Sequence, residues 1–354
     1  MNTLVEHRDS SISIPLPWQD LQWQRTCNAF NSGQMAHAYL LYGDKGLGKA
    51  LFASAFANLM LCATPIETND SSRPVRIACQ QCANCLQSAS GHHPDIIHIR
   101  PEDGSKNIKI EQIRLLSEFV IRSSHSGGAK IAIINEAHLL NTNAANALLK
   151  TLEEPNHNTF LFLVSDYPGR LMATIRSRCQ QLPFTKPKKE MASKWLHGIL
   201  GEGNTDIFLA ASMDRPLIAL QYAESDSLLH RQQFLQSLCD IKLDKGSIQS
   251  SLTLSSKIGE VEVLQHFAES LSTLIKYMLT EGSDNEIDSS LEDLYKVMRS
   301  TSTKAAQQNI ATGLLSFYTE IETARKQLSS STNPNPQLIM ESLLWHWSRL
   351  SLRA

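Results

Sequence analysis

"AYLLYGDKGLGKA", residues 38–50, runs from an apolar stretch into a glycine-rich turn. "AYLLY" (38–42) is a short unbroken run of the kind a parallel sheet buries on both faces. Gly43, Gly48 and Lys49 then match the phosphate-loop pattern of Gly, four free positions, Gly and Lys, with Gly46 inside the loop. Beyond the loop, Phe52, Ala55, Phe56 and Leu59 recur at i, i+3, i+4 and i+7, one face of a helix. In a strand–loop–helix unit, backbone N–H groups at the helix N-terminus can hold phosphate without any particular side chain.

The pattern breaks at its last position. Ala50 stands where Ser or Thr normally offers a hydroxyl to the nucleotide's magnesium. The second magnesium group is expected at the end of a neighbouring strand, and "IAIINEAH" (131–138) is read as that neighbour. It carries Asn135-Glu136 where an Asp-Glu pair would stand, and Asn is a weaker ligand for a hard cation. Both magnesium positions are altered, whereas Lys49 and Glu136, the latter placed to polarise an attacking water, are kept. Gly43, Gly46, Gly48, Lys49, Asn135 and Glu136 thus describe a degenerate nucleotide site, with ATP bound weakly or not at all.

Other runs complete an α/β pattern with a mostly parallel sheet over roughly the first 185 residues. "IIHI" (96–99) and "FLFLVS" (160–165) read as strands. "NTNAANALLKTLEEP" reads as a helix with Ala145, Leu148, Leu149 and Leu152 as its stripe, an N-cap among Asn141 to Asn143, and Pro155 as its stop. After "TKPKK" (185–189) strand signals fade and helical patterns take over. "SSSTNPNPQ" (329–337) reads as a loop before a last helix carrying Trp345 and Trp347, residues expected to pack rather than bind.

Length, 354 residues, suggests two or three domains. A net charge of −2 argues against a surface that coats nucleic acid. No apolar run approaches the ~20 residues of a membrane span, and "MNTLVEHRDSSISIPLPW" lacks a secretory pattern. A cytoplasmic location is expected.

The seven cysteines are unevenly spread. Cys79, Cys82 and Cys85 share CxxCxxC spacing, which in a reducing compartment favours a metal over disulfides. Cys62 as fourth ligand would close a tetrahedral, structural zinc site; His92 or His93 is the alternative. Cys27, Cys179 and Cys239 stand alone and read as small packed side chains.

Together, "HAYLLYGDKGLGK", the cysteine cluster, "HPD" (93–95), "NAANALLKTLEEP" and "RLMATIRSRCQ" resemble the clamp-loader branch of the AAA+ ATPases. The resemblance spans roughly residues 15 to 185. It implies an AAA+ domain over 1–185 with a zinc module at 62–85, a small helical lid domain over 186–226 and a helical collar domain over 227–354. It further implies that Arg178, in Ser177-Arg178-Cys179, acts as an arginine finger on a neighbouring subunit's ATP. Ser165 would be a sensor group or a strand cap, and Arg215 a second sensor or an exposed helix-start residue. Motor subunits of the family keep a hydroxyl after the loop Lys and an Asp in the second motif. The implied role is therefore that of a non-motor subunit in a bacterial DNA polymerase III clamp loader. The partners would be gamma/tau motors and a delta subunit, with sliding clamp and primed DNA reached through the complex. The alternatives are an active motor, or a zinc-dependent module that binds DNA or protein.

Overall fold

Seven short strands and fourteen helices are numbered here along the described chain. In a computed structural model these described residues are 15–68, 75–102, 105–125, 128–201, 205–279, 291, 294–296, 304–328 and 334–351. They divide into two compact units, Met1–Gln221 and Tyr222–Ala354.

In the first unit, "AYLLY" forms β1 (Ala38–Tyr42), and the other three expected runs form β4 (Ile96–Ile99), β5 (Lys130–Ile134) and β6 (Thr159–Ser165). A further strand, β7 (Gln180–Pro183), completes a parallel sheet of order β4-β5-β6-β1-β7. This order corrects one expectation, because the strand ending in Asn135-Glu136 is not adjacent to β1. β6 lies between them, with Leu41 opposite Val164 and Ile134 opposite Leu163. β6 has six of its seven residues buried, as suits a strand covered on both faces. Two antiparallel pieces, β2 (Ile66–Glu67) and β3 (Arg76–Ile77), form a separate ribbon.

Helix α1 (Asp20–Asn31) precedes β1, and the phosphate-loop helix is α2 (Lys49–Leu61). Its expected single apolar face is only part of the truth. Leu51, Ala53, Ala57, Met60 and Leu61 are buried as well as Phe52, Ala55, Phe56 and Leu59. One side packs on β5 and β6, and the other is covered by β3 and by α3 (Ala83–Ala89). A helix covered on both sides has no polar stripe to show.

Trp23 locks α1 onto α2. It is 1% exposed, meets Phe52 and Phe56 edge-on at 5.4 and 5.3 Å, and donates its Nε1–H to Arg76 O at 3.0 Å. Trp23→Ala is expected to destabilise this unit by ~3–5 kcal/mol, since a large buried ring and a satisfied donor are lost together. Chemical denaturation of wild type and variant reads this directly.

On the other side of the sheet lie α4 (Ile110–Ile121) and α5 (Thr142–Glu153). Asn141 caps α5, its Oδ1 accepting the Ala144 N–H at 2.8 Å. Ala145, Leu148 and Leu152 are buried, while Leu149 is only partly so. A one-turn helix, α6 (Ala173–Arg176), leads into β7. The unit ends in α7 (Lys189–Leu200), α8 (Thr205–Ala211) and α9 (Pro216–Glu224), the last running past the division, around Ala192, Leu196, Leu209, Ala219 and Leu220.

Among the described residues no strand follows Pro183. The second unit holds α10 (Ser227–Lys242), α11 (Ile248–Ile258), α12 (Glu260–Leu279), α13 (Lys304–Leu328) and α14 (Pro336–Arg349). Phe234, Phe267, Phe317 and Trp347 are the large rings of its core. Trp347 is 1% exposed and donates to Leu238 O at 3.0 Å, whereas Trp345 is half exposed. The loop read at 329–337 lies mostly outside the described residues, as do residues 1–14; of its end, Asn335 caps α14.

Candidate functional site

Parallel strands carry their last residues to one end of the sheet, where open α/β folds place their ligands. Gly43 follows β1 there, Asn135 and Glu136 follow β5, and Ser165 closes β6 opposite Tyr42. The structure therefore brings the sequence-derived loop and strand-end residues into one region. The loop itself turns through positive φ at Gly46 (84°) and Gly48 (79°). A Cβ at Gly46 would stand 2.5 Å from Ile218 and one at Gly48 2.4 Å from Leu16, so at these positive φ values a larger residue would be strained and would push its neighbours aside. The loop's outward carbonyls are held by Gln19 Nε2, which donates to Leu47 O and Gly48 O at 2.9 Å, and by Trp18 Nε1, 3.0 Å from Leu47 O.

Lys49 does not point at open space. Its ammonium is buried and donates to Gly43 O at 2.8 Å and Asp44 O at 2.6 Å, and pairs with Asp166 Oδ1 at 2.7 Å. An ammonium has three N–H donors, and here each has a protein acceptor.

The strand ends behave unevenly. Asn135 Oδ1 is buried with no hydrogen-bond partner. Glu136 sits at φ 50°, and burial pushes its carboxyl up, Lys45 pulling it back and Asp166 adding to the rise. The Ser165 hydroxyl oxygen accepts the Tyr167 N–H at 3.2 Å and lies 3.4 Å from His138 Nδ1. Burial holds His138 neutral, with its pKa down at about 4. With a methyl at Ala50 and a neutral amide at Asn135, this set does not fit a magnesium–nucleotide complex.

Arg178 stands just beyond α6, one residue before the buried Cys179. Its Nη1 donates to Thr174 O at 3.0 Å and its Nη2 meets Glu153 Oε1, at the end of α5, at 2.7 Å. Both side chains are exposed to solvent, at 38% and 48%. Arg215 is buried rather than exposed at its helix start, its Nε donating to Ser212 O at 2.6 Å. The reason is local: α9 begins beside the loop, with the Leu217 N–H donating to Gly46 O at 3.2 Å.

A second centre lies against the outer side of α2. The Sγ atoms of Cys62, Cys79, Cys82 and Cys85 all lie within 4.8 Å of one another, and those of Cys79 and Cys85 are 3.9 Å apart. Neither His92 nor His93 is in this group; His93 Nδ1 instead accepts the Asp95 N–H at 3.1 Å. The chain turns through Gln80 at φ 62°, which aims the Gln81 and Cys82 N–H groups at Cys79 Sγ, 3.5 and 3.3 Å away. The Cys79 N–H in turn donates to Cys62 Sγ at 3.2 Å. Hydrogen bonds, led by Thr64 and followed by these backbone groups, pull the Cys79 thiol down to about 5, while burial pushes Cys62 and Cys85 up. Four convergent sulfurs, one already favouring the thiolate, make a donor set that could bind a metal and is consistent with zinc.

A family profile described as DNA polymerase III, delta subunit matches residues 18–188, and its C-terminal counterpart matches residues 225–349. DNA polymerase III subunit delta-prime of Pseudomonas aeruginosa is 32% identical over 339 residues, covering 94% of this chain and 97% of that protein. The chain belongs to the DNA polymerase III delta-prime family.

A second delta-prime subunit, from Haemophilus influenzae, is 30% identical over 92% of this chain and 94% of its own. Likeness extends to subunit tau of Bacillus subtilis, 35% identical over 45% of this chain but only 26% of that protein. Sequence reasoning missed Asp166, the acid that takes Lys49. Its one signal is position, since it directly follows a strand expected at the same sheet end as the loop. Glu153, the partner of Arg178, was hidden inside the quoted "LLKTLEEP" motif.

Proposed function

We propose that the chain is a non-motor subunit of the DNA polymerase III clamp loader. It assists in placing the sliding clamp on primed DNA and offers Arg178 to the ATP site of an adjacent motor subunit. Residues 1–185 serve as the AAA+ domain, 186–226 as a lid and 227–354 as the collar through which subunits associate, with gamma/tau and delta as partners in the cytoplasm. The four cysteines hold a structural zinc.

One contrast carries this reading. Within a single domain, the loop's lysine is spent on protein acceptors, while the guanidinium of Arg178 faces solvent with donors to spare. Of five N–H donors on an arginine, two are used here, by Thr174 O and Glu153. The remainder form an edge suited to a phosphate oxygen. An active motor is opposed by Ala50, Asn135 and the committed Lys49. A DNA-reading zinc module is opposed by its sparse basic charge, because Arg76 Nη1 already donates to Asn31 Oδ1 at 2.8 Å.

The test is a complex rebuilt with motor subunits, clamp and primed DNA, in which ATP turnover is compared with and without Arg178. Unchanged turnover in Arg178→Ala would remove the trans reading.

A further inference from the structure

The acceptors around Lys49 come from two sources: the loop's own carbonyls and one carboxylate from beyond β6. The carboxylate is the notable partner, since a phosphate-loop lysine otherwise awaits an anion. Asp166 supplies that negative charge from within the chain, at 2.7 Å, with 3% exposure on the lysine side chain and 18% on its own. The rest of the anion cradle is not used up. Among the described residues, the backbone N–H groups of Gly46, Leu47 and Gly48 donate to no protein acceptor. Across the same peptide planes, Gly46 O accepts the Leu217 N–H and Leu47 O is held by Trp18 and Gln19, which fixes the direction of the Leu47 and Gly48 N–H groups.

We propose that Asp166 is a built-in anionic ligand of the phosphate loop, which blocks the site by saturating Lys49 while the N–H cradle stays formed. An incoming phosphate must displace Asp166 from Lys49 and leave a mostly buried carboxylate without its cation, an exchange that disfavours binding. Removing Asp166 frees one strong donor over an intact cradle. The ligand so excluded is a di- or triphosphate group, taken without magnesium because Ala50 offers no hydroxyl and Asn135 only a neutral amide to the metal. The inference is independent of Arg178, which lies on another element, so its failure would leave the trans reading standing.

Inorganic pyrophosphate without magnesium is the probe, titrated calorimetrically into the full chain and followed by thermal denaturation. Wild type is expected to bind it negligibly. Asp166→Ala is expected to bind roughly 10-fold or more tightly than wild type, the gain of about one charge-assisted hydrogen bond. Pyrophosphate should also raise the melting temperature of Asp166→Ala and not that of wild type. Adding Lys49→Met to Asp166→Ala should abolish both effects. If Asp166→Ala does not fold, Asp166→Asn keeps the shape without the charge and is read by the same titration. Wild type binding pyrophosphate as tightly as the variant overturns the proposal. So does a folded Asp166→Ala or Asp166→Asn that gains no binding.

Discussion

Arg178→Ala is expected to slow ATP hydrolysis at the neighbouring site it is proposed to serve by ~10³, the lower end of what an arginine finger contributes to phosphoryl transfer. The whole effect falls on another subunit's chemistry, so the variant chain itself should fold normally. Its ion pair with Glu153 is exposed at both ends and is worth at most ~1 kcal/mol. Arg178→Lys separates charge from shape. A lysine keeps the cation but loses the planar fork, and it cannot span Thr174 O, Glu153 and a phosphate oxygen together. Its turnover should stay nearer to the alanine variant than to wild type. Single-turnover hydrolysis in the rebuilt complex separates these cases.

Loss of the metal should destabilise the first unit. Wild type is expected to carry one zinc per chain, and Cys79→Ser to carry none, as read by elemental analysis. Structural zinc sites contribute ~10–16 kcal/mol of apparent binding energy in small domains, and that energy is coupled to folding. Here the module covers the outer side of α2, so Met60, Leu61, Val75 and Ile77 would lose their cover. A cost of ~3 kcal/mol or more to the first unit follows from that exposed apolar area. A chelator acting on wild type should reproduce the drop in melting temperature, whereas Cys239→Ser, in the other unit, should leave the metal content unchanged. A metal-free wild type of undiminished melting temperature would contradict the assignment.

Sequence patterning exposed β1, β4, β5 and β6 because each is a dense apolar run ending in a turn. It missed β7, whose residues are Gln180, Gln181, Leu182 and Pro183; as an edge strand it buries only Leu182 and tolerates proline. The insertion of β6 between β1 and β5 had no local signal, since strand order depends on how crossovers pack. The cysteine spacing marked its cluster plainly, because the ligands sit within a few residues of one another. Lys49 and Asp166 lie 117 residues apart, and no periodicity links them. The motif implies a lysine waiting for phosphate, whereas in the fold its donors are taken.

On the proposed reading this chain acts on a neighbour's ATP and not on its own. Clamp- and DNA-stimulated ATP turnover in the rebuilt complex tests this most directly, comparing Arg178→Ala with the double variant Lys49→Met/Asp166→Asn. The double variant removes the loop lysine without leaving a buried carboxylate unpaired. The double variant is expected to keep wild-type turnover, and Arg178→Ala to show a deep loss. A loss as deep in the double variant would make "GDKGLGKA" a working ATPase loop and overturn the non-motor role.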